Sequence, residues 1–296
     1  MGLQPEVRFG CFLSQASHEW PEVLDDFLRA EELGFDHAWL VDHLVDTGGR
    51  PDLPCLEAWT LLAALAAKTS RIRLGVLVTS NTFRHPALLA KEAVTVDHVS
   101  GGRLILGLGT GWHEDEHRRY GIELPVPSER VDRLEEAIQV IRSFTSQQRT
   151  TFVGMHYRLD DAPFQPRPVQ AHIPLLIAAH RPRMLRLAAR YADQWDTFAT
   201  LPGTATDGLE TPIAERIRAL DAACAEIGRD PAEIRRSTWV GPEVYETATA
   251  FEAFVRAHRA LGFTDFSIER PPADQRDVLV RIARETIPAL RAEFAR

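Results

Sequence analysis

Cysteine, lysine and long apolar runs are all scarce in this sequence of 296 residues. Its three cysteines, Cys11, Cys55 and Cys224, are odd in number and widely spaced without a C-x-x-C motif, which fits ordinary thiols in a reducing compartment. The longest apolar run, around residues 61–67, is far too short to cross a bilayer. The first ten residues lack the basic and apolar regions of a signal peptide. We therefore expect a cytoplasmic protein with no membrane partner.

The basic residues are almost all arginine. Only two lysines, Lys68 and Lys91, occur among the 34 basic residues, which indicates base-composition bias in the source genome. The net charge of −8 gives no sign of binding to nucleic acid or to an acidic membrane surface. Apolar residues make up 45% and charged residues 26%, as in an ordinary globular protein with a large core. We expect a small-molecule substrate as the partner, and a homodimer.

Short apolar segments alternate with longer amphipathic segments from end to end. The apolar segments predict strands, and the segments with an apolar period of about 3.6 residues predict helices. The predicted strands cover residues 7–13, 38–41, 72–79, 104–108, 175–178, 195–198, 237–244 and 266–268. The predicted helices cover residues 21–33, 56–68, 86–99, 131–144, 183–192, 213–227, 251–261 and 277–294.

Residues 126–174 interrupt this alternation and are interpreted as partly an insertion. The segment TTFVGMHYRL alternates around Gly154 and predicts a β-hairpin. Four prolines follow between residues 163 and 174, which predicts an extended connection and not a helix.

Eight strands, each followed by a helix, predict a (β/α)8 TIM barrel with an insertion between strands 4 and 5, forming one domain over residues 1–296. Two distant joints, EELGFDHAWL at 31–40 and RALGFTDFSIE at 259–269, share a helix end, a Leu-Gly-Phe triplet and a following strand. A doubly wound sheet is the alternative. It is disfavoured because no strand is followed at once by a G-x-G-x-x-G helix start with an acidic residue about 20 positions later.

Polar residues collect at the ends of four neighbouring predicted strands. Asp42-His43 ends the second strand, Ser80-Asn81 follows the third, and residues 110–112 and 178–180 end the fourth and fifth. In a TIM barrel the functional groups sit at the carboxyl ends of the strands. Because an unperturbed imidazole titrates near neutrality, the sequence predicts that Asp42 and His43 belong to a catalytic site and are not merely a turn cap and a packing residue.

The segments VRFGCFL, AEELGFDHAWLVDHL, RHPALLAKEAVTVDHVSGGRLILGLGTGW and PLLIAAHRPRMLRLAARYADQWDTF resemble the bacterial luciferase-like monooxygenase superfamily. More narrowly, they resemble its members that use the deazaflavin coenzyme F420. The resemblance is strong over residues 7–200 and weaker beyond. It implies a (β/α)8 barrel with insertions, in agreement with the strand count.

The resemblance also implies roles for particular residues. His43 matches the residue that gives or takes a proton beside the carbon that exchanges hydride. The segment after strand three matches a bulge with a cis peptide bond that is not followed by proline, against which the deazaflavin ring lies. Helix-start amides after strand five match the phosphate site, and such amides suit an anion on physical grounds. The residues implied to bind the coenzyme are Asp42, Val78, Thr79, Ser80, Asn81, Thr110, Gly111, Asp115, Ala179, His180, Arg181 and Arg183.

The sequence departs from the sugar-phosphate dehydrogenase relatives at three points. Those relatives carry a catalytic Glu directly after the Thr-Gly of strand four, where this chain has Trp112, a flat apolar residue that we expect to contact substrate. Their substrate-phosphate lysines have no counterpart, since neither lysine lies late in the chain. His180 and Arg181 stand in a turn that is usually Gly-rich.

Residues 113–117, HEDEH, match the zinc-hydrolase motif H-E-x-x-H. The motif has only three fixed residues, no third ligand follows at metzincin spacing, and it begins directly behind a strand end and not within a helix. We therefore expect no metal site and interpret the segment as a polar helix on the barrel rim, whose Glu116 and His117 could still face the coenzyme.

Two further readings concern ligands. The pair Trp195-Asp196 ends strand six, and we expect Trp195 to contact substrate. GLGTG at 107–111 resembles a dinucleotide loop, but Trp112 occupies the sixth place of G-x-G-x-x-G, which argues against NAD.

The favoured function is an F420-dependent oxidoreductase with His43 as proton donor or acceptor. An FMN-dependent monooxygenase is the alternative, and a zinc hydrolase a remote one.

Overall fold

The predicted (β/α)8 barrel is confirmed by the computed structural model, which describes residues 6–198 and 212–295. The strands are β1 (Arg8–Phe12), β2 (His37–Leu40), β3 (Arg73–Val76), β4 (Thr79–Ser80), β5 (Leu104–Gly109), β6 (Arg149–Val153), β7 (Arg158–Pro163), β8 (Leu175–Ala178), β9 (Gln194–Asp196), β10 (Arg235–Val240) and β11 (Asp265–Glu269). All of them except β6 and β7 pair in parallel, in the order β3-β2-β1-β11-β10-β9-β8-β5-β4, and a pairing of β3 with β5 closes the ring.

Helices cover the outside of the barrel because their apolar faces pack against outward-facing strand side chains. The helices are α1 (Trp20–Glu32), α2 (Ala58–Lys68), α3 (Pro86–Ser100), α4 (Glu114–Tyr120), α5 (Pro127–Ser146), α6 (Pro182–Tyr191), α7 (Ile213–Glu226), α8 (Ala248–Ala260), α9 (Arg276–Arg281) and α10 (Ile287–Phe294), with a π-helical turn (Ile282–Thr286) between the last two. Among the described residues, no helix has both the length and the apolar character needed to cross a membrane.

The third strand is interrupted at the rim of the barrel. The strand predicted over residues 72–79 divides into β3 and β4, and the peptide bond between Leu77 and Val78 is cis. The resemblance implied such a bond in this region. After the interruption β4 still pairs with β5, Ser80 facing Gly109. The segment therefore presents its backbone and side chains at the carboxyl end of the barrel.

The insertion is narrower than the predicted range 126–174. Helix α5 spans 20 residues and packs against α3, so it is the regular helix that follows the fourth barrel strand. The added structure is the antiparallel hairpin of β6 and β7 and the proline-containing connection that follows it. The carboxylate of Glu136 on α5 accepts hydrogen bonds from the backbone N–H groups of Met155, His156 and Tyr157, which fixes the hairpin turn against the helix.

The two Leu-Gly-Phe joints are structurally equivalent. Gly34 and Gly262 adopt left-handed φ angles of 86° and 89°, which side chains disfavour. The N–H groups of Phe35 and Phe263 then bond back to the last turns of α1 and α8. Each joint thus ends a helix and directs a buried Phe into the core before the next strand begins.

Candidate active site

A cavity of about 520 Å³ opens at the carboxyl ends of the barrel strands. Its floor rests on the apolar cluster that fills the barrel interior, which includes Trp39, Ile105 and Leu176. A second cavity, of about 450 Å³, lies beside α1 and the segment after β11, and none of its lining residues lines the first cavity. The first cavity is lined by Val41, Asp42, His43, Leu77, Val78, Thr79, Ser80, Phe83, Gly109, Thr110, Gly111, Trp112, His113, Glu116, His117, Ala178, His180, Asp196, Phe198 and Trp239.

The strand ends singled out from the sequence meet at this cavity. Asp42 and His43 follow β2, Ser80 ends β4, and Thr110 follows β5. Ala179 differs, because its side chain is fully buried in the core, while its neighbours on either side in the chain line the cavity.

Asp42 ties β2 to the interrupted third strand. Its Oδ2 accepts a hydrogen bond from the backbone N–H of Ser80 at 2.8 Å and another from Nη1 of Arg84 at 2.6 Å. Its Oδ1 accepts from Nη2 of Arg84 at 3.1 Å, so the ion pair is bidentate, and the Asp42 side chain is only 2% exposed. Arg84 also contacts Glu57 at 3.1 Å and Glu92 at 3.5 Å. The carboxylate therefore fixes the position of β4 at the cavity wall.

His43 is oriented by a buried carboxylate. Its Nδ1 lies 3.0 Å from Oε2 of Glu116, whose side chain is 1% exposed. The other oxygen of Glu116 accepts hydrogen bonds from the backbone N–H groups of Leu44 and Val45. Burial acts to raise the pKa of Glu116, but these hydrogen bonds, led by the one from His43, hold it below its usual value. An ionised Glu116 accepts the Nδ1 proton, which leaves Nε2 of His43 for exchange with a group in the cavity.

A chain of hydroxyl groups continues from Ser80 to His117. Ser80 Oγ and Thr82 Oγ1 lie 2.7 Å apart, and Thr82 Oγ1 lies 2.7 Å from Nε2 of His117. Nδ1 of His117 donates to the carbonyl oxygen of His113 at 2.8 Å, so its Nε2 accepts from Thr82. Both nitrogens of this buried ring are therefore occupied.

The contacts of His113 and His117 argue against a zinc site in the HEDEH segment. His113 lies outside α4 as its N-cap, where its Nδ1 accepts from the backbone N–H of Glu116. His117 is occupied by Thr82 and the His113 carbonyl group, while Glu114 opens the helix. Within residues 6–198 and 212–295, no three His, Cys, Asp or Glu side chains form a group that could hold a metal ion.

Trp112 stands at the mouth of the cavity. Its side chain is 62% exposed and meets the His43 ring edge to face, with centroids 5.8 Å apart. It packs in the same manner on His113, at 4.9 Å. Trp112 thus covers the catalytic candidate His43 and remains open to solvent.

Not every predicted coenzyme residue lines the cavity. Val78, Thr79, Thr110 and Gly111 do so, as do the residues described above. Asn81 is buried, and its amide donates to the Tyr157 hydroxyl group at 3.3 Å.

Three predicted residues of this set lie on the outer surface. Asp115 points out of α4 and pairs with Arg118 and Arg119, and these ion pairs lower its pKa. Arg183 is exposed and pairs with Asp132 of α5 at 2.5 Å. Arg181, the N-cap of α6, is also exposed.

His180 forms the wall next to β9. Its Nδ1 lies 2.9 Å from Oγ1 of Thr197, and its ring packs edge to face on Phe198, with centroids 5.1 Å apart. Burial, and then the positive charges of Arg216 and Arg181, lower the pKa of His180 to about 4. The ring is therefore neutral at physiological pH.

The prediction for Trp195 needs correction. Successive side chains of a strand point to opposite faces, and on β9 this alternation turns Trp195 outward into the core, where it is 0% exposed. Its Nε1 donates to the carbonyl oxygen of Ala179 at 2.9 Å. The next residue, Asp196, points into the cavity. The sequence placed the pair at a strand end but assigned the wrong member to the cavity.

Phe198 and Trp239 complete the cavity wall, and sequence reasoning did not single them out. Both are aromatic residues at or just beyond the ends of barrel strands, in β9 and β10. That position was the one available signal, and it is weak because most aromatic residues near strand ends belong to the core.

Comparison with known proteins identifies the family and the fold. The sequence pattern described as luciferase-like monooxygenase matches residues 6–292. An F420-dependent glucose-6-phosphate dehydrogenase of Microbacterium testaceum is 36% identical over 75% of this chain and 64% of its own length. One of Kineococcus radiotolerans is 30% identical over 92% of this chain and 94% of its own length. The chain therefore spans slightly less than two thirds of the Microbacterium relative.

A solved structure shares the fold. An F420-dependent secondary alcohol dehydrogenase, in complex with an F420-acetone adduct, superimposes with a TM-score of 0.81 over 97% of this chain and 99% of its own, at 20% identity. The match to the family pattern covers nearly all of the barrel and every strand end that lines the cavity. The chain therefore belongs to the luciferase-like monooxygenase family.

Proposed function

We propose that this protein is a coenzyme F420-dependent oxidoreductase that acts on a small organic substrate, with His43 as the proton donor or acceptor. The observation that carries the proposal is the His43–Glu116 pair at the cavity, in a chain whose relatives include enzymes named F420-dependent dehydrogenases. A deazaflavin bound there would supply hydride exchange, and the protein would supply the proton.

The residues at the cavity fit such a coenzyme. The wall formed by Leu77 and Val78 is apolar and suits a flat ring. Oγ1 of Thr79 is buried beside the cavity without a hydrogen-bond partner among the described residues. Because an unpaired buried hydroxyl group is costly, a polar ligand atom at this wall would be stabilising.

We assign the coenzyme contacts to two regions. The ring would lie against Val78, Thr79, Ser80, Thr110 and Gly111, with Asn81 holding the segment from behind. Asp42 would act through β4, since both of its oxygens are occupied by Ser80 and Arg84.

The phosphate would bind at the start of α6, near Ala179, His180, Arg181 and Arg183. Among the described residues no side chain caps this helix, which would leave its first backbone N–H groups to an anion. Asp115 is left out of this assignment because it would have to leave Arg118 and Arg119 to reach the cavity.

The proton chemistry of His43 follows from its partner. Neutral His43 carries its proton on Nδ1, facing Glu116, so Nε2 can accept a proton from substrate. Protonated His43 is an imidazolium that Glu116 stabilises, and its Nε2 can donate. Trp112 packs edge to face on the His43 ring, and we propose that it also contacts the substrate.

The experiment is titration of the purified protein with F420 and, separately, with FMN, followed by absorbance and fluorescence. We expect F420 to bind more tightly than FMN. An FMN-dependent monooxygenase is the second candidate, because it would share this fold. Micromolar binding of FMN without binding of F420 would reverse the assignment in its favour.

A further inference from the structure

Asp196 forms a polar corner of the cavity that the proposed proton transfer at His43 does not use. Its side chain is 3% exposed, lines the cavity, and accepts a hydrogen bond at Oδ2 from Oγ of Ser237 at 2.7 Å. The pairing of β9 with β10 sets Asp196 opposite Ser237, so the contact is built into the barrel. Oδ1 has no hydrogen-bond partner among the described residues.

Two aromatic rings stand beside this carboxyl group. Phe198 and Trp239 both line the cavity, with ring centroids 5.6 Å apart and planes inclined by 43°. Trp239 is held from behind by Phe12, on which it stacks at 4.9 Å with an angle of 19°. The corner therefore combines a buried carboxyl group with two supported aromatic faces.

In the described part of the chain, no positive side chain forms an ion pair with Asp196. Among the described residues that line the cavity there is no lysine and no arginine. The other two acids of the cavity wall have partners, Asp42 with Arg84 and Glu116 with His43. His180 is neutral at physiological pH, as its lowered pKa requires.

Two more charged groups face the carboxyl group from packed elements. Asp265 lies on β11, in register with Ser237 and two strands from Asp196, and adds repulsion. Arg216 of α7 lies behind Phe198 and Thr197, where it donates to Oγ1 of Thr197 at 2.7 Å. Burial, reinforced by Asp265 and opposed by the Ser237 hydrogen bond, raises the pKa of Asp196 to about 7.

We propose that Asp196, Phe198 and Trp239 bind the positively charged nitrogen of the substrate, so that the substrate is a small amine or iminium cation. This inference rests on the proposed oxidoreductase function, because the bound cation is a substrate only if the protein is that enzyme. A cation gains from the carboxylate and from both aromatic faces, which attract positive charge through their quadrupoles. A neutral carbonyl compound would use only the protonated acid as a donor, and the aromatic faces would add no charge recognition.

The affinities for a cationic and for a neutral ligand should depend on pH in opposite directions. A cation binds the ionised carboxylate, so its affinity rises as pH rises through about 7. A neutral carbonyl compound needs the protonated form, so its affinity rises in the opposite direction. The pH dependence of affinity in the wild-type protein therefore distinguishes a cationic ligand from a neutral carbonyl compound, and no variant is needed.

The test is calorimetric titration with cyclopentylamine, which stays protonated over the range, and with its neutral analogues cyclopentanol and cyclopentanone, between about pH 5.5 and about pH 8.5. We expect the amine to bind preferentially and more tightly at the higher pH. Asp196→Asn should weaken amine binding about tenfold or more and change cyclopentanol binding by less than about twofold. Asp115→Asn, which removes a surface carboxylate of the same rim, should leave amine binding unchanged.

Equal affinity for the amine and the alcohol, or cyclopentanone binding that strengthens as pH falls, would overturn the proposal. F420 binding is measured on the same samples by fluorescence. Loss of preference for the amine with F420 binding intact refutes only this inference. Absence of F420 binding refutes the proposed function instead.

Discussion

Glu116 lies 3.0 Å from Nδ1 of His43 although 73 residues separate them in the sequence. The contact joins the end of β2 to α4 across the cavity mouth. The sequence resemblance implied a catalytic glutamate at the position that Trp112 occupies in this chain. A carboxylate is nevertheless present four residues later, where Glu116 lines the cavity and contacts the histidine.

His43→Ala is predicted to lower turnover by about 10² to 10⁴, the usual size of a general acid–base contribution. Coenzyme affinity should change little, because the imidazole of His43 lies beside the cavity wall that is proposed to contact the coenzyme and is not part of that wall. An activated enone can serve as acceptor in steady-state assays. Turnover at the wild-type rate would show that the proton comes from water and not from His43.

Glu116→Gln is predicted to lower turnover by about tenfold to 100-fold, because a neutral amide stabilises the imidazolium of His43 less than a carboxylate does. Steady-state turnover with the same acceptor measures the loss. Asp115→Asn is the matched control, since the adjacent carboxylate points outward. Equal turnover by the two variants would contradict the assigned role of Glu116.

Gly111→Ala is predicted to weaken F420 binding, whereas Gly121→Ala should not. Both glycines have φ angles in the left-handed region, 77° and 67°, so both substitutions carry a backbone cost of about 1 kcal/mol. A Cβ at Gly111 would lie 2.5 Å from Oγ of Ser80 and 2.7 Å from Oγ1 of Thr82, whereas at Gly121 it meets nothing within 4 Å. Fluorescence titration measures the difference. Equal losses of affinity would mean that the Ser80 wall does not contact the coenzyme.

Asp196→Asn is predicted to stabilise the protein increasingly as pH rises from about 4 to about 7. Burial raises the pKa of the folded-state carboxyl group to about 7, whereas its ordinary value is 3.8. In this window the folded state binds more protons than the unfolded state, so the wild type loses stability with rising pH, by up to about 1.4 kcal/mol per pH unit. The amide carries no such cost. Thermal denaturation of both proteins at several pH values measures it, and a difference independent of pH would show that Asp196 is not held in its neutral form.

The sequence by itself determined the order of elements and the strand ends. Strand and helix periods are local, so alternating apolar segments predicted eight strands and their helices, with boundaries shifted by only a few residues. The carboxyl ends of parallel strands share one edge, which is why Asp42, His43, Ser80 and Thr110 could be grouped without coordinates. Membership of the family followed from contiguous motifs and is confirmed.

Only the tertiary structure decided which of two adjacent residues faces the cavity. Helix α4 reads EDEHRRY, and it has no apolar stripe that would fix its rotation, so the sequence could not prefer Glu116 over Asp115. Strand β9 has three residues, too few for alternation to show which face is inside, and a Trp suits either side. Packing of Trp195 against the core chose the phase of the strand and thereby turned Asp196 into the cavity.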